Sequence, residues 1–507
     1  MSATTAHLSQ QELESYLWGA ANLLRGLIDA GDYKQYVFPL LFFKRLSDVW
    51  DEEYATAIGD TGDERYAHAT ADDRFRIPEG AHWADVRNAS RDVGRALVTA
   101  FRAIEAANPQ RLAGVFGNAS WTDKAQLPDD TLKNLIEHFS QHALGLRTVP
   151  EDELGNAYEY LIKQFADDSG HTAQEFYTNR TVVHLMAQML EPQAGERIYD
   201  PTVGTGGMLI SSIAEVKRRG GDTRTLGLFG QELIHVTASI ARMNLVLHGV
   251  EDFEIATGNT LSNPMFTDHD RLRTFDVVLA NPPYSIKKWN REAWQNDPWG
   301  RNFLGTPPQG RADYAFFQHI LKSLDPKTGR CAILFPHGVL FRNEETDMRK
   351  RLVEADLVEC VLGLGPNLFY NSPMEACIVI CRTRKTRARR RRILFIDAVH
   401  EVARERAQSI LRPEHQQRIL AAYHAFSDVL GFATVVDIEQ VLANGGSLAI
   451  PRYVRPAPTK VTAGDLGDLA TTWAAFDASG REFWQQMDEL IETLDAAVSK
   501  EPVDAPQ

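Results

Sequence analysis

Ile198-Tyr199-Asp200-Pro201-Thr202-Val203-Gly204-Thr205-Gly206-Gly207-Met208-Leu209-Ile210 reads as a short strand, a glycine-rich turn and the opening of a helix. Glycines at such a junction let the backbone approach a ligand closely. The turn contains neither G-x-G-x-x-G nor G-x-x-x-x-G-K-[ST], so it does not read as a site for NAD or ATP. Two further strand ends follow: Leu226 to Gly230 delivers Gln231-Glu232, and Phe253 to Thr257 delivers Gly258-Asn259-Thr260. From about residue 190 strands and helices alternate, which predicts a doubly wound α/β sheet with its ligand cleft at the strand ends.

The chemistry of that cleft is carried by a later strand end. Phe275-Asp276-Val277-Val278-Leu279-Ala280 runs into Asn281-Pro282-Pro283-Tyr284, about eighty residues beyond the glycine turn. A turn-forming role alone would suit these residues, since Pro presets φ and Asn tolerates turn geometry. The combination also suits a grip on a planar amino group, whose lone pair is delocalised into its ring and is a poor nucleophile. The Asn281 side-chain oxygen and the Pro282 carbonyl supply two acceptors for the amino hydrogens, favouring a pyramidal nitrogen with its lone pair free. Tyr284 adds a flat face for ring stacking. Glu232 suits ribose hydroxyls and Asn259 an adenine edge, so the strand ends together describe a nucleoside site.

With these motifs in hand, the chain resembles the S-adenosylmethionine-dependent adenine-N6 DNA methyltransferases, and within them the modification subunits of type I restriction-modification systems. Asp200 to Gly207, with Gly204, Thr205 and Gly206 at its centre, looks like the loop that holds the methionine end of the cofactor. Asn281, Pro282, Pro283 and Tyr284 look like the catalytic motif. Upstream, Gln174-Glu175-Phe176-Tyr177-Thr178-Asn179-Arg180 resembles the segment that folds over the cofactor's amino-acid end. Asn179 stands where Pro is usual, and Asn259 where many relatives carry Asp. Leu17 to Gly26, Tyr33 to Asp48, Leu154 to Leu161, Asp313-Tyr314-Ala315-Phe316 and Ile450 to Val454 extend the likeness over most of the chain.

The resemblance implies a Rossmann-like methyltransferase core at 151–430, an N-terminal all-α domain at 1–150 and a C-terminal helical region at 431–507 that docks a specificity subunit. It also implies site-specific adenine methylation of DNA with S-adenosylmethionine as donor and no metal. The implied partners are DNA, one specificity subunit for two copies of this chain, and a restriction subunit that translocates DNA. Two other functions share parts of the pattern. A protein-glutamine methyltransferase would use the same tetrapeptide on a side-chain amide, but the long helical ends speak against it. A non-catalytic scaffold would be expected to have lost Asn281 or Tyr284.

Charge agrees with borrowed DNA affinity. The net charge of −14 makes a poor general DNA binder, because non-specific affinity comes from neutralising phosphates with Lys and Arg. Against that acidity, Arg382 to Arg392 carries eight cations in eleven residues, read either as a solvated hairpin tip or as a phosphate-tracking loop beside the entry for an extruded base. No apolar run reaches the ~18 residues of a membrane span, no signal peptide is legible, and Cys331, Cys360, Cys377 and Cys381 lie in expected strands without metal-site spacing. A reducing cytoplasm is expected. Toward the ends the pattern is helical. Ser9-Gln10-Gln11-Glu12 forms a capping box before Leu13, Leu17, Ala20, Ala21 and Leu24, and a second helix carries Val37, Leu40 and Leu41 with Lys44 and Asp48 emerging at its end. Phe483, Met487, Leu490, Leu494 and Val498 form an apolar stripe on a terminal helix.

Overall fold

The computed structural model of the chain describes residues 7–168, 178–368, 375–405 and 408–455, with a few positions between 473 and 487. Residues 1–455 form one compact unit and 456–507 a second. Of the terminal apolar stripe only Met487 falls among the described residues, at a helical position.

The first helix, Gln10–Leu24, starts where the capping box predicts: Ser9 Oγ accepts from the Glu12 N–H and the Glu12 carboxylate accepts from the Ser9 N–H. Its stripe of Leu13, Leu17, Ala20, Ala21 and Leu24 is buried. The second helix, Lys34–Thr61, is longer than expected. Lys44 and Asp48 do not mark its end. They lie at its middle, where Lys44 is buried and paired with Asp48 one turn on, and Asp48 also accepts from the Leu144 N–H at 2.6 Å. Pairing removes the cost that a lone buried ammonium would carry.

Helix Glu151–Asp168 buries Leu154, Ala157, Tyr158, Leu161, Ile162 and Phe165 in the same core as the N-terminal helices. Packing therefore does not break at residue 150. Helix His235–Leu247 joins the two cores: Ile240, Met243 and Leu247 face the helical core, while Ala238, Ala241 and Leu245 face the sheet.

Nine strands make the central sheet: β1 Arg197–Asp200, β2 Gly227–Glu232, β3 Glu254–Thr257, β4 Val277–Ala280, β5 Arg330–Pro336, β6 Val358–Leu364, β7 Ala376–Arg382, β8 Arg392–Ala398 and β9 Ala433–Asp437. Their order across the sheet is β3-β2-β1-β4-β5-β7-β6-β8-β9. Only β7 and β9 run against the rest. Strands β4 to β7 are apolar almost throughout because helices cover both faces, as expected of a mainly parallel sheet. The four cysteines lie in β5, β6 and β7, all buried free thiols.

Chain order reverses between β1 and β4, which pair in parallel with Tyr199 opposite Val278. A doubly wound sheet opens its crevice at such a point, outside the carboxyl ends of the strands. Asp200 and Asn281 stand on either lip of it.

Two expectations need correction. The sheet continues past residue 430: β9 pairs with β8 from Ala433 to Asp437, and Ile450, Tyr453 and Val454 pack in the sheet's core. The region after 430 thus begins as part of the α/β unit rather than as a helical tail. The Arg382–Arg392 loop is neither a hairpin tip nor a neighbour of the catalytic cleft. It crosses from β7 to β8 past the intervening β6, and Arg382 is level with Arg330 at the start of β5, whereas Asn281 follows Ala280, which is level with Ile333. At ~3.3 Å per residue the loop begins roughly 13 Å along the strands from Asn281, at the opposite edge. Most of its charge is spent on carboxylates: Arg382 and Arg389 on the buried Glu359 at 2.9 and 3.1 Å, Lys385 on Asp356 at 2.6 Å, Arg391 on Glu439, and Arg392 on Asp437 at 3.3 Å.

Candidate active site

The glycine turn after β1 is built by hydrogen bonds to its neighbours. Val203 N–H donates to the Gln231 carbonyl at 3.0 Å, Gly204 N–H to the Glu232 carboxylate at 3.1 Å, and Thr260 Oγ1 to the Pro201 carbonyl at 2.6 Å. Gly204 and Gly206 have φ of 54° and 86°, the left-handed region that glycine enters without strain, and Gly206 then starts helix Gly207–Arg218. Thr205 is buried, its carbonyl accepting from Asn244 Nδ2 at 2.9 Å.

Asp200 ends β1 almost fully buried, with Oδ1 accepting from the Thr202 N–H at 2.9 Å. Burial, with a further contribution from the Glu232 carboxylate, pushes its carboxyl up to about 8. No cation pairs with it among the described residues. Glu232 ends β2 half-buried, with Oε1 accepting from the Ile234 N–H at 2.9 Å.

Asn281 follows β4. Its Nδ2 donates to Thr178 Oγ1 at 3.0 Å, bringing the segment before helix Arg180–Leu190 onto the Asn281–Tyr284 turn. Its Oδ1 is buried and has no hydrogen-bond partner among the described residues. An orphaned buried carbonyl oxygen costs about 1–3 kcal/mol, and this one is free to accept from a donor outside the chain. Pro282 is buried and Pro283 half-buried. Tyr284 is half-buried with its hydroxyl inside, unpartnered among the described residues, and burial raises the hydroxyl's pKa.

Two residues expected to hold the cofactor, Asn179 and Arg180, are engaged elsewhere, and a third, Asn259, is engaged through its oxygen. Asn179 caps helix Arg180–Leu190: its Oδ1 accepts from the Thr181 N–H at 3.0 Å, and its Nδ2 donates to the carbonyls of Leu368 and Ser409 at 3.1 and 2.9 Å. That side chain has spent its acceptor and both donors on the fold, so it tightens the local backbone rather than loosening it. Arg180 pairs with Glu159 at 2.7 Å and presses on Gly207, where an added Cβ would fall 1.4 Å from its Nη1. Asn259 Oδ1 accepts from the N–H groups of Leu261 and Ser262 at 2.9 and 3.1 Å. Its exposed side turns out the amide NH₂, a donor that matches a ring nitrogen of adenine rather than the amino group. Glu175, Phe176 and Tyr177 lie outside the described residues.

Beside Asn259 lies a cavity of ≈ 240 Å³ walled by Leu261, Trp289, Trp294, Trp299 and Arg301. Arg301 is fully buried. Its guanidinium donates to the carbonyls of Thr260 and Leu261 at 3.0 and 2.8 Å, pairs with Asp297 at 2.6 Å and packs against the rings of Trp294 and Trp299. It staples the loop after the catalytic motif to the turn after β3. Nothing in the sequence reading pointed to Arg301, although three tryptophans within eleven residues of one another just after Tyr284 were a visible signal.

A glycine turn, two strand-end carboxylates and an orphaned asparagine acceptor thus converge on one crevice. The family profile described as N-6 DNA Methylase matches residues 149–461, and the HsdM N-terminal domain profile matches residues 13–139. The chain belongs to the N-6 DNA methylase family. This methylase is 31% identical to the type I restriction enzyme MjaVIII methylase subunit of Methanocaldococcus jannaschii over 91% of its own length and 81% of that protein. It is 31% identical to the HindI methylase subunit of Haemophilus influenzae over 72% of its length and 83% of that protein. Among solved structures, the methyltransferase subunit of a type I restriction-modification system from Streptococcus thermophilus matches with a TM-score of 0.77 and 31% identity, covering 88% of this chain and all of that one. The methylase is thus a type I modification subunit with an α/β core and an N-terminal helical domain, and among its described residues no helix is long and apolar enough to cross a membrane.

Proposed function

We propose that the chain methylates the exocyclic N6 of an adenine extruded from DNA, with S-adenosylmethionine as donor, as the modification subunit of a type I complex. The observation that carries this reading is the buried, unpartnered Oδ1 of Asn281 beside a glycine turn and two carboxylates. The donor set fits the cofactor: the buried Asp200 carboxyl would take its cationic amino group, Glu232 would accept from its ribose hydroxyls, and the tryptophan-walled cavity beside Asn259 has room for an adenine ring. When bound, S-adenosylmethionine supplies an electrophilic methyl group on its sulfonium.

The residues of the chain then act on the acceptor nitrogen. Asn281 Oδ1 and the Pro282 carbonyl accept the two amino hydrogens, an interaction that strengthens as the nitrogen pyramidalises and so lowers the barrier more than it stabilises the ground state. Thr178, through Asn281 Nδ2, fixes which way the amide points. The ring of Tyr284 stacks on the base. A protein amide as acceptor has no observation in its favour, since the helical domain at 13–139 is the one found in modification subunits.

Excess acid supports a chain that relies on a DNA-reading specificity subunit. The family resemblance adds two modification subunits for each specificity subunit and a restriction subunit that completes the complex. The test is to co-produce the chain with a cognate specificity subunit and map N6-methyladenine by sequencing. Wild type should mark one site. Asn281→Ala should abolish the marks while calorimetry finds S-adenosylmethionine affinity within about two-fold of wild type. Marks that persist in Asn281→Ala would refute the mechanism.

A further inference from the structure

The residue after the catalytic tetrapeptide is held in an unusual conformation by a charge that the reaction itself does not use. Ser285 has φ of 52°, a region that residues other than glycine avoid. Its N–H donates at 2.9 Å to Oδ1 of Asp313, which is 1% exposed and sits in the first turn of helix Asp313–Lys322, where the helix dipole favours a carboxylate. The other oxygen, Oδ2, accepts from Arg342 Nη1 at 2.7 Å. Arg342 follows β5 and is itself wedged: a Cβ on Gly338 would lie 2.4 Å from its Nε, and the Arg342 carbonyl accepts from the buried Arg349 at 2.9 Å. A relay of buried charge therefore runs from the loop after β5 to the backbone of the catalytic turn.

We propose that Asp313 is the positioning residue of this turn: clamped by Arg342, its carboxylate keeps Ser285 left-handed and thereby aims Asn281 Oδ1 and the Pro282 carbonyl at the amino nitrogen. The inference rests on the amino-methylation reading above. A non-glycine residue at positive φ carries roughly 1–3 kcal/mol of strain, so releasing the hold lets the turn relax to conformers in which the two acceptors diverge. The cofactor cradle, built from the β1 and β2 ends, is not part of this relay and keeps its shape.

Asp313→Asn in the full chain, paired with its specificity subunit, should lower the single-turnover methyl-transfer rate about ten-fold or more while S-adenosylmethionine affinity by calorimetry stays within about two-fold. Amide hydrogen exchange across residues 281–290, read on the chain without DNA, should quicken in this variant. Adding Ser285→Gly to Asp313→Asn should recover part of the rate, because glycine enters the left-handed region without the hold. A wild-type rate in Asp313→Asn, an equal loss of cofactor affinity, or no recovery on adding Ser285→Gly would each overturn the proposal. Should Asp313→Asn fail to fold, Arg342→Gln must show the same split between rate and affinity, and a wild-type rate there overturns it equally. If the wild-type complex leaves adenine unmethylated, the functional reading falls, whereas hydrogen exchange still decides whether Asp313 holds the turn.

Discussion

Cofactor affinity should depend on pH through Asp200. Its carboxyl is raised to about 8 by burial and by Glu232, so near neutrality the free protein carries a proton there. A ligand whose ammonium group settles against Asp200 favours the ionised form and must expel that proton. The sign follows: affinity is weak at low pH, where the proton is hard to remove, and rises with pH until the free carboxyl ionises on its own. Between pH 5.5 and 7 the ionised fraction grows about ten-fold per unit, so the association constant should climb about thirty-fold over that window. Keeping below pH 7 leaves the cofactor's own amine protonated. Calorimetry in buffers of different ionisation enthalpy should find about one proton released per cofactor bound. Asp200→Asn should remove both the slope and the proton release. A slope that survives in Asp200→Asn, or an affinity in wild type that changes less than about three-fold across the window, would refute the assignment of that proton to Asp200.

Other consequences concern charges buried for structure. Glu345 is fully buried with neither oxygen hydrogen-bonded among the described residues, and burial pushes it up to about 7. Because the unfolded chain releases this proton near 4.5 and the folded one near 7, stability falls as pH rises between those values and levels off above. Relative to Glu345→Gln, wild type should lose about 2 kcal/mol between pH 5 and pH 8, measured as urea midpoints at the two values. Glu359 is buried under Arg382, Arg389 and the Tyr423 hydroxyl, the last at 2.7 Å. Arg389→Ser should therefore cost about 1–3 kcal/mol of stability while the salt dependence of DNA binding by the complex is unchanged, since the loop faces away from the cleft. A flattened salt dependence with unaltered stability would reinstate the loop as a DNA contact.

Elements whose signal is local were legible in the sequence. The capping box at Ser9, the stripe of the helix that begins at Glu151, the glycine turn after Asp200 and the tetrapeptide after Ala280 all lie within a few residues of what they do. Misreadings arose where one residue type serves two purposes. Asparagine caps helices and turns as readily as it recognises a base, and only the fold reveals that Asn179 spends every polar atom on carbonyl and N–H partners and that Asn259 turns its oxygen inward. Contacts between distant segments were invisible for another reason. Arg301 meets Thr260 from forty-one residues away and Asp313 meets Ser285 from twenty-eight, so neither periodicity nor motif spacing marks them. The arginine run misled because charge counted along the chain carries no information about which edge of a sheet it reaches. Strand β9 escaped notice because Ala433 to Asp437 is a short edge segment whose burial does not alternate, a faint signal beside the helices around it.

Helix His235–Leu247 lies between the two ends of the cofactor crevice that it connects, Glu232 just before it and the turn at Asn259 soon after. Because one of its faces is a wall of the helical core, a chain cut at residue 150 would strip part of the cover from Ile240 and Met243 beside the strand ends of the candidate site. Truncation would thus yield a sticky, misshapen crevice instead of a smaller methylase. By the same token, any partner that shifts the N-terminal helices pulls on a lever whose other arm is the cofactor's rim.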